Sequence, residues 1–439
     1  MLETIRPGDP GYAGVRHVYT ATGRPAEVLL PGDTADVAQA LLRARASGLT
    51  LAVRSGGHGI SSVATNDGGV VIDLRRLDGV EHLGGASVRL GPGARWGRVA
   101  RTLGPWGLAI SSGDSGDVGV GGLATTGGIG LMARAHGLTI DRLRRATVVL
   151  ADGSVHDVSA DEEPDLFWAV RGAGANVGIV TAFELEASPT PVVAQATLAY
   201  RPADLAGFLE RWGATVAAAP RAVSAFLYVF GGPSPSAQAT VVVATDDATV
   251  ATAALEPFAV LPGLAGSRAA LVPYADVPMT SGAPHTGQQR AATHSGFVTH
   301  LDRATAAALT AGLRSGFDMV QVRSLGGAVN DVAADATAFA HRHQQLLLTP
   351  VSAAGPGPWF EEAWAPVHEH VDGLYLSFET DHAPAAVAEA FPSATLARLR
   401  SIKQRVDPDR VFTQNFDVSA VLPQETRSSS SLPPSPALR

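Results

Sequence analysis

The chain has 439 residues, of which 46% are apolar and 17% charged, and its formal net charge is −8; at about 150 residues per domain that suggests two or three domains with sizeable cores. There is no cysteine, and Lys403 is the one lysine among 33 basic residues, so disulfides, thiolate nucleophiles, Cys-ligated metals and a Gly-Lys-Ser/Thr phosphate loop are excluded. An acidic chain without a concentrated basic face is also no nucleic-acid binder.

In chain order, the first 190 residues are glycine-rich with short apolar runs. Glu27–Leu30 reads as a strand, and Asp33 or Thr34 caps a helix over Ala35–Ser47 that Gly48 ends. Leu51–Arg54, Val70–Leu74 and Ser87–Leu90 are further strands. Asp152-Gly153, between Thr147–Leu150 and Val155–Val158, is a hairpin signal, and the alternating run Ile179–Leu185 closes this part. From about residue 195 the texture changes. Ala225–Phe230 and Ala239–Ala244 read as strands, and helices are expected at Ala203–Ala217, Ala248–Phe258, Ala304–Leu313 and Trp359–Val371. This pattern predicts an antiparallel sheet with helices on one face. Leu374–Phe378 reads as a strand, and a helix over Leu396–Val406 stops at Asp407-Pro408. The Ser/Pro-rich end, 424–439, reads as a disordered tail. No apolar leader and no run of about 18 apolar residues is present, so a cytoplasmic protein without membrane contact is expected.

Three glycine-rich loops carry chemistry. Val53–Gly59 (VRSGGHG) follows a strand, and its adjacent glycines let backbone N–H groups converge as a pyrophosphate requires. Gly119–Gly130 packs six glycines into twelve residues, so a flat or charged group can approach the backbone. Arg171–Gly178 is the third. Gly128–Ala133 matches G-x-G-x-x-A, but Thr-Thr-Gly precedes it instead of a strand, so it is no dinucleotide fingerprint. His341/His343 and His368/His370 have i, i+2 spacing, which does not bring two imidazoles to one helix face, and no metal site is expected.

Together and in order, these loops resemble the covalent FAD-linked oxidases with a vanillyl-alcohol-oxidase-type (PCMH-type) flavin domain, in the berberine-bridge-enzyme-like branch. The resemblance extends through Asp67–Leu74 (DGGVVIDL), His136–Leu143 (HGLTIDRL), Asp165–Gly174 (DLFWAVRGAG), Gly178–Thr181 (GIVT), Thr337–Arg342 (TAFAHR) and Asp407–Asn415 (DPDRVFTQN). It implies an α+β, two-domain fold: residues 1–194 as the first part of an FAD-binding domain, 195–392 as a substrate domain built on an antiparallel sheet, and 393–423 returning to the FAD domain. It implies bound FAD, held around Arg54, Ser55, Gly56, Gly57, His58 and Gly59. It extends that site to Ser115, Val118, Gly119, Gly121, Gly122, Thr126, Gly127, Gly128 and Gly130, and to Gly178, Ile179, Val180 and Asn415.

His58 stands where family members bond covalently to the flavin 8α-methyl carbon, and an imidazole with a pKa near 6.5 is largely neutral and nucleophilic at pH 7. Ser115 stands where bicovalent members carry a cysteine, so one covalent link is the most this chain can form. The tyrosine that such members place before the C-terminal helix is absent from Phe391–Leu396. The resemblance therefore leaves Tyr375 or His341 as the base, with Asn415 beside the flavin. The implied activity is an oxidase that takes a hydride from a small organic substrate (an alcohol, amine or phenolic, polyketide-like molecule) to flavin N5 and reduces O2 to H2O2. Val118 is small and stands where the family controls O2 access. The alternatives are a dehydrogenase with another acceptor, or a ligand-binding protein that kept the fold.

Overall fold

Residues Ala225, Leu227 and Val229 alternate with Phe226 and Tyr228 along one strand, and that alternation organises the second half of the molecule. In the computed structural model, which describes residues 2–287 and 291–420, the strand Val223–Phe230 lies inside an eight-stranded antiparallel sheet. The order is Leu264–Pro273, Val192–Tyr200, Ser236–Val243, Val223–Phe230, Met319–Ser324, Leu346–Ser352 and Ala292–Thr293, with Gly296–Val298 also paired to Leu346–Ser352.

Four helices, Leu205–Ala218, Ala248–Ala259, Arg303–Ser315 and Pro358–His368, cover one face of this sheet. Phe208, Trp212, Phe258, Leu309 and Phe360 from these helices bury against Leu227, Val229, Val241 and Val320. Phe226, Val193, Val242 and Leu347 point the other way, onto Ile129, Leu131, Met132 and Ile140 of the first half. The large sheet is thus a lid on the glycine-rich part.

That first part holds two smaller sheets. One has the order Glu3–Ile5, Glu27–Leu30, Val70–Asp73, Leu51–Arg54, its last three strands parallel. The helix Thr34–Ser47 crosses between them, capped by the Asp33 carboxylate, which accepts from Asp36 N, and ended by Gly48 at φ 67°. The other is antiparallel, in the order Val80–Gly84, Ser87–Leu90, Ile179–Glu186, Leu143–Val149, Val155–Ser159, with the expected hairpin turning at Gly153. The C-terminal helix Ser393–Val406 returns to this part: Leu396, Leu399 and Ile402 share one core with Val88, Leu90 and Phe183.

Two local readings are corrected. The Gly119–Gly130 segment is not loop throughout, because Val120–Thr126 is helical. Buried Val120 and Ala124, four residues apart, supply packing that outweighs the poor helix propensity of Gly121 and Gly122. Leu374–Phe378 is not a strand: Tyr375 is extended, but Leu376–Phe378 is a 3₁₀ turn. The Ser295 hydroxyl takes the bonds a sheet partner would have made, accepting from Tyr375 N at 2.9 Å and donating to Tyr375 O at 3.0 Å. The tail expected at 424–439 lies outside the described residues.

Candidate active site

The three glycine-rich loops singled out in the sequence meet at one cavity of about 660 Å³ between the glycine-rich part and the lid sheet. Ser55–Gly59 forms one wall, following directly from the strand Leu51–Arg54. The N–H groups of Gly56, Gly57, His58 and Gly59 donate to no protein acceptor among the described residues. Gly113–Gly122 is the facing wall. Gly56 and Gly119 touch: a Cβ on Gly56 would sit 2.4 Å from Gly119 N. The hydroxyl of Ser55 pins the approach, accepting from Gly121 N at 3.1 Å and donating to Pro92 O.

Of the other expected cofactor residues, Ser115, Val118, Thr126, Gly178, Ile179, Val180 and Asn415 also line the cavity. Arg54 does not: it is buried behind the loop, with Nε donating to Asp73 at 2.9 Å and Nη2 to Val15 O at 2.5 Å. Gly127, Gly128 and Gly130 also stand behind the wall. A Cβ there would meet Tyr375, Thr139 and Ser111 at 2.9, 2.2 and 2.4 Å respectively, so these three glycines serve close packing.

This geometry separates glycines that pack from glycines that open on the cavity. Gly121 is wedged against Pro92 and Ser55, both 3.1 Å from its added Cβ. Gly122, its neighbour on the wall, has nothing within 4 Å of that position. Gly122→Val therefore fills the cavity without disturbing the core. Its flavin content per protein, measured by absorbance, is expected to fall while the melting temperature of the cofactor-free protein is retained. Equal flavin content would show that the diphosphate passes elsewhere.

Arg323 is the one arginine or lysine on the wall among the described residues. It is not free. Its Nη2 donates to both Asp114 carboxylate oxygens at 3.1 and 3.2 Å and to Gln321 Oε1 at 3.0 Å. Its guanidinium lies between the rings of Phe226 and Phe378, 4.4 and 4.6 Å from their centroids. Tyr228 also donates to Asp114. Burial opposes charge on Asp114, but Arg323 and Tyr228 outweigh it and hold the carboxyl below its ordinary range. Among the described residues a diphosphate in this cavity thus meets no uncommitted cation on the wall, and the N–H groups of Gly56–Gly59, which have no acceptor among those residues, are the fitting donors.

His58 lines the cavity with its ring stacked on Tyr19, centroids 4.3 Å apart and planes at 16°. Burial, assisted by Arg95, lowers its pKa against the pull of Asp117 and Asp114, so the imidazole is neutral at pH 7. Ser115 lines the same region, its hydroxyl accepting from Asp117 N at 3.3 Å.

Tyr375 also faces the cavity, its hydroxyl accepting from Gly128 N at 2.9 Å, and burial raises its pKa. Its mount is rigid: Ser295 grips its backbone, Ser295 N donates to Glu379 at 3.3 Å, and His294 bonds Glu379 at 3.0 Å. His341, the alternative base, is not on the wall. It is buried against Phe297, and its Nε2 bonds Ala390 O at 2.9 Å. Its neighbour Arg342 instead clamps the two halves, donating to both oxygens of Asp141 at 2.9 and 2.8 Å. Asn415 Nδ2 donates to Ala175 O and Phe412 O, and its buried Oδ1 has no partner among the described residues.

Sequence reasoning missed Asp114, Tyr228, Gln321 and Arg323. Asp114 is adjacent to Ser115, but Tyr228 and Arg323 sit on plain strands with no motif. The signal available was a tyrosine and an arginine on otherwise apolar strands.

Comparison with known proteins agrees with this geometry. Residues 25–159 match the model of a family described as an FAD binding domain. Over 192 residues the chain is 38% identical to (R)-6-hydroxynicotine oxidase of Paenarthrobacter nicotinovorans, covering 43% of this chain and 42% of that protein. The sequence match thus spans less than half of that relative. The structural match is longer: 6-hydroxy-D-nicotine oxidase from Arthrobacter nicotinovorans aligns over 95% of this chain and 98% of its own, with TM-score 0.84 and 26% identity. A glucooligosaccharide oxidase from Acremonium strictum with 6-S-cysteinyl, 8α-N1-histidyl FAD aligns over 95% of this chain and 97% of its own, with TM-score 0.81 and 24% identity.

Proposed function

We propose that this chain, which carries an FAD binding domain within the fold of the vanillyl-alcohol-oxidase-type flavoproteins, is an FAD-dependent oxidase of a small organic substrate, its cofactor attached through His58 alone. The observation that carries this reading is the convergence on one cavity of a neutral His58, a nest of unpartnered N–H groups and the polar cluster on the lid sheet. The division of labour follows the layers, with residues 1–194 and 393–423 holding the cofactor and 195–392 holding the substrate.

FAD, when bound, accepts a hydride from the substrate and passes the electrons to O2. The chain's own residues do the rest. The backbone of Ser55–Gly59 and the edge at Gly119–Gly122 bind the diphosphate. Asn415, on the cavity wall and held by Ala175 O and Phe412 O, shapes the flavin side of the pocket. Tyr375, kept protonated by burial, supplies a hydroxyl that orients the reacting group of the substrate, while Arg323, Tyr228 and Gln321 orient a polar substrate end. His341 is committed to Ala390 O, which favours Tyr375 of the two. Val118 leaves the wall small, consistent with O2 as acceptor, and no cysteine is available for a second link. Apolar lining by Ile129, Leu376 and Phe378 suits an organic, weakly charged molecule, an alcohol, amine or phenol.

The test is an anaerobic screen of alcohols, amines and phenols against the purified yellow protein. A substrate should bleach the flavin, and admitted O2 should restore it with H2O2 formed. Restoration only by an artificial acceptor would make it a dehydrogenase, and a colourless protein would make it a binding protein.

A further inference from the structure

The wall segment that carries Tyr375 is anchored by a histidine set between two carboxylates. Tyr375, Leu376, Ser377 and Phe378 line the cavity, and the run Thr293–Ser295 docks against them. Thr293 Oγ1 donates to Phe378 O at 2.8 Å, and the Ser295 hydroxyl bonds both backbone groups of Tyr375. Between these two, His294 Nδ1 is 3.0 Å from Glu379 Oε1, and its Nε2 is 3.0 Å from Glu361 Oε2. Its ring stacks on Phe360 and Trp364, with centroids 5.1 and 5.2 Å away and planes at 11° and 19°. Buried Glu379 otherwise accepts from backbone alone. Its Oε1 takes Thr380 N and Asp381 N at 2.8 and 2.9 Å, and its Oε2 takes Ser295 N at 3.3 Å. His294, Glu361 and Glu379 all lie off the cavity wall.

We propose that His294 is a positioning residue for the reaction: as an imidazolium it neutralises the buried Glu379 and so holds the Tyr375–Phe378 wall, while Glu361 on the covering helix Pro358–His368 keeps the ring protonated. This rests on the reading above of the cavity as the place of substrate oxidation. The two bonds require the charge. A carboxylate offers acceptors alone, so a ring with a carboxylate oxygen at each nitrogen needs two N–H groups, which the imidazolium has and the neutral ring lacks. Burial opposes that charge, but Glu379 and Glu361 outweigh it and raise the pKa of His294 above the ordinary imidazole value. Among the described residues, the other titratable groups nearby are engaged elsewhere or neutral. His368, packed on Trp364, bonds Glu389 at 2.9 Å, and the Asp381 carboxylate accepts from Ala383 N at 2.8 Å. Burial lowers the pKa of His382, so that ring is neutral at pH 7. The neighbouring strand Leu346–Ser352 brings no charged side chain.

Exposure gives the two carboxylates different duties. The Glu361 side chain is 58% exposed and turns to water when the ring loses a proton; that of Glu379 is 2% exposed and cannot. A neutral His294 keeps its one N–H on Glu379, but the buried carboxylate then has no counter-charge, and the wall segment it anchors loosens. The raised pKa sets the direction. The hold is complete below the ordinary imidazole pKa and is lost as pH rises through the raised one. Removing the Glu361 charge brings that loss to lower pH without touching the cavity.

The experiment compares wild type, Glu361→Gln and His294→Gln as purified. Flavin reduction by a substrate from the anaerobic screen is followed by stopped-flow from about pH 6 to about pH 9, and the ring resonances of isotope-labelled histidines are titrated by NMR without substrate. Glu361→Gln is expected to match wild type near pH 6 and to reduce its flavin on the order of tenfold more slowly at about pH 8, its alkaline decline having moved to lower pH. The His294 resonance, identified by its absence in His294→Gln, should titrate at lower pH in Glu361→Gln than in wild type. His294→Gln, with a donor for Glu379 but no charge, should be slow throughout the range. Coincident reduction profiles in wild type and Glu361→Gln, or a His294 resonance titrating alike in both, would overturn this role alone. Glu361 is exposed, so that comparison decides the matter even where His294→Gln does not fold. A protein whose flavin no substrate reduces would overturn the oxidase reading and this role with it.

Discussion

Lys403→Met is expected to lower stability by about 3–5 kcal/mol, the cost of breaking a buried ion pair from one side. The single lysine of the chain is fully buried, and its three protons are all used. Nζ donates to Asp407 at 2.8 Å, to Phe412 O at 2.9 Å and to Asn176 O at 3.0 Å. Asp407 in turn accepts from Val411 N and Phe412 N at 2.7 and 3.1 Å. Removing the ammonium strands a buried carboxylate and two carbonyls together. Phe412 and Asn176 line the cavity, so the loss reaches the site. Against a total stability of about 5–15 kcal/mol the effect is large. Urea unfolding should show the midpoint falling. Lys403→Met combined with Asp407→Asn should recover part of the loss, since the two changes are coupled. An unchanged midpoint in the single variant would remove Lys403 from this role. A Schiff-base chemistry at Lys403 is in any case incompatible with an ammonium held by three acceptors.

Tyr375→Phe should slow flavin reduction by the substrate by on the order of 10²–10⁴-fold while FAD content stays at the wild-type level. Tyr375 lines the cavity, and its hydroxyl, whose oxygen accepts from Gly128 N, keeps its own proton to donate. Its loss leaves that N–H unpaired at a cost of about 1–3 kcal/mol, so the thermal midpoint must be measured beside the kinetics. His341→Ala is the control. It empties a buried ring site and should lower stability, but reduction at a temperature where the variant is folded should proceed near the wild-type rate. A tenfold or greater slowing in His341→Ala and none in Tyr375→Phe, measured by stopped-flow, would reverse the assignment.

The fold was largely legible because its signals are local. Asp33 and Gly48 bound the first long helix as their capping chemistry requires, and Asp152-Gly153 turns the hairpin. The helices over the large sheet announced themselves by apolar spacing. Strands Val192–Tyr200, Leu264–Pro273, Met319–Ser324 and Leu346–Ser352 did not, because their identity rests on partners distant in the chain. The two misread segments share a cause. Val120–Thr126 is helical and Leu376–Phe378 turns because tertiary contacts, a buried face in one and the Ser295 hydroxyl in the other, replaced the local preference.

For the site, loop chemistry was visible and its depth was not. His58, Ser115 and Asn415 reach the cavity from recognisable runs. Gly127, Gly128 and Gly130 look the same in sequence as Gly119 and Gly122, yet they face Tyr375, Thr139 and Ser111. Which side of a glycine meets the cofactor depends on what packs behind it, and no spacing encodes that. The Asp114–Arg323–Tyr228 cluster joins three separate segments, so only the assembled layers bring it into view.

The central claim is that this cavity holds FAD bonded to His58, and acid denaturation tests it most directly. Wild-type protein precipitated in acid, redissolved and weighed intact should retain the mass of one FAD, and His58→Ala should lose that increment while still emerging yellow from native purification. Flavin released completely from the acid-treated wild type, or an undiminished increment in His58→Ala, would contradict the account.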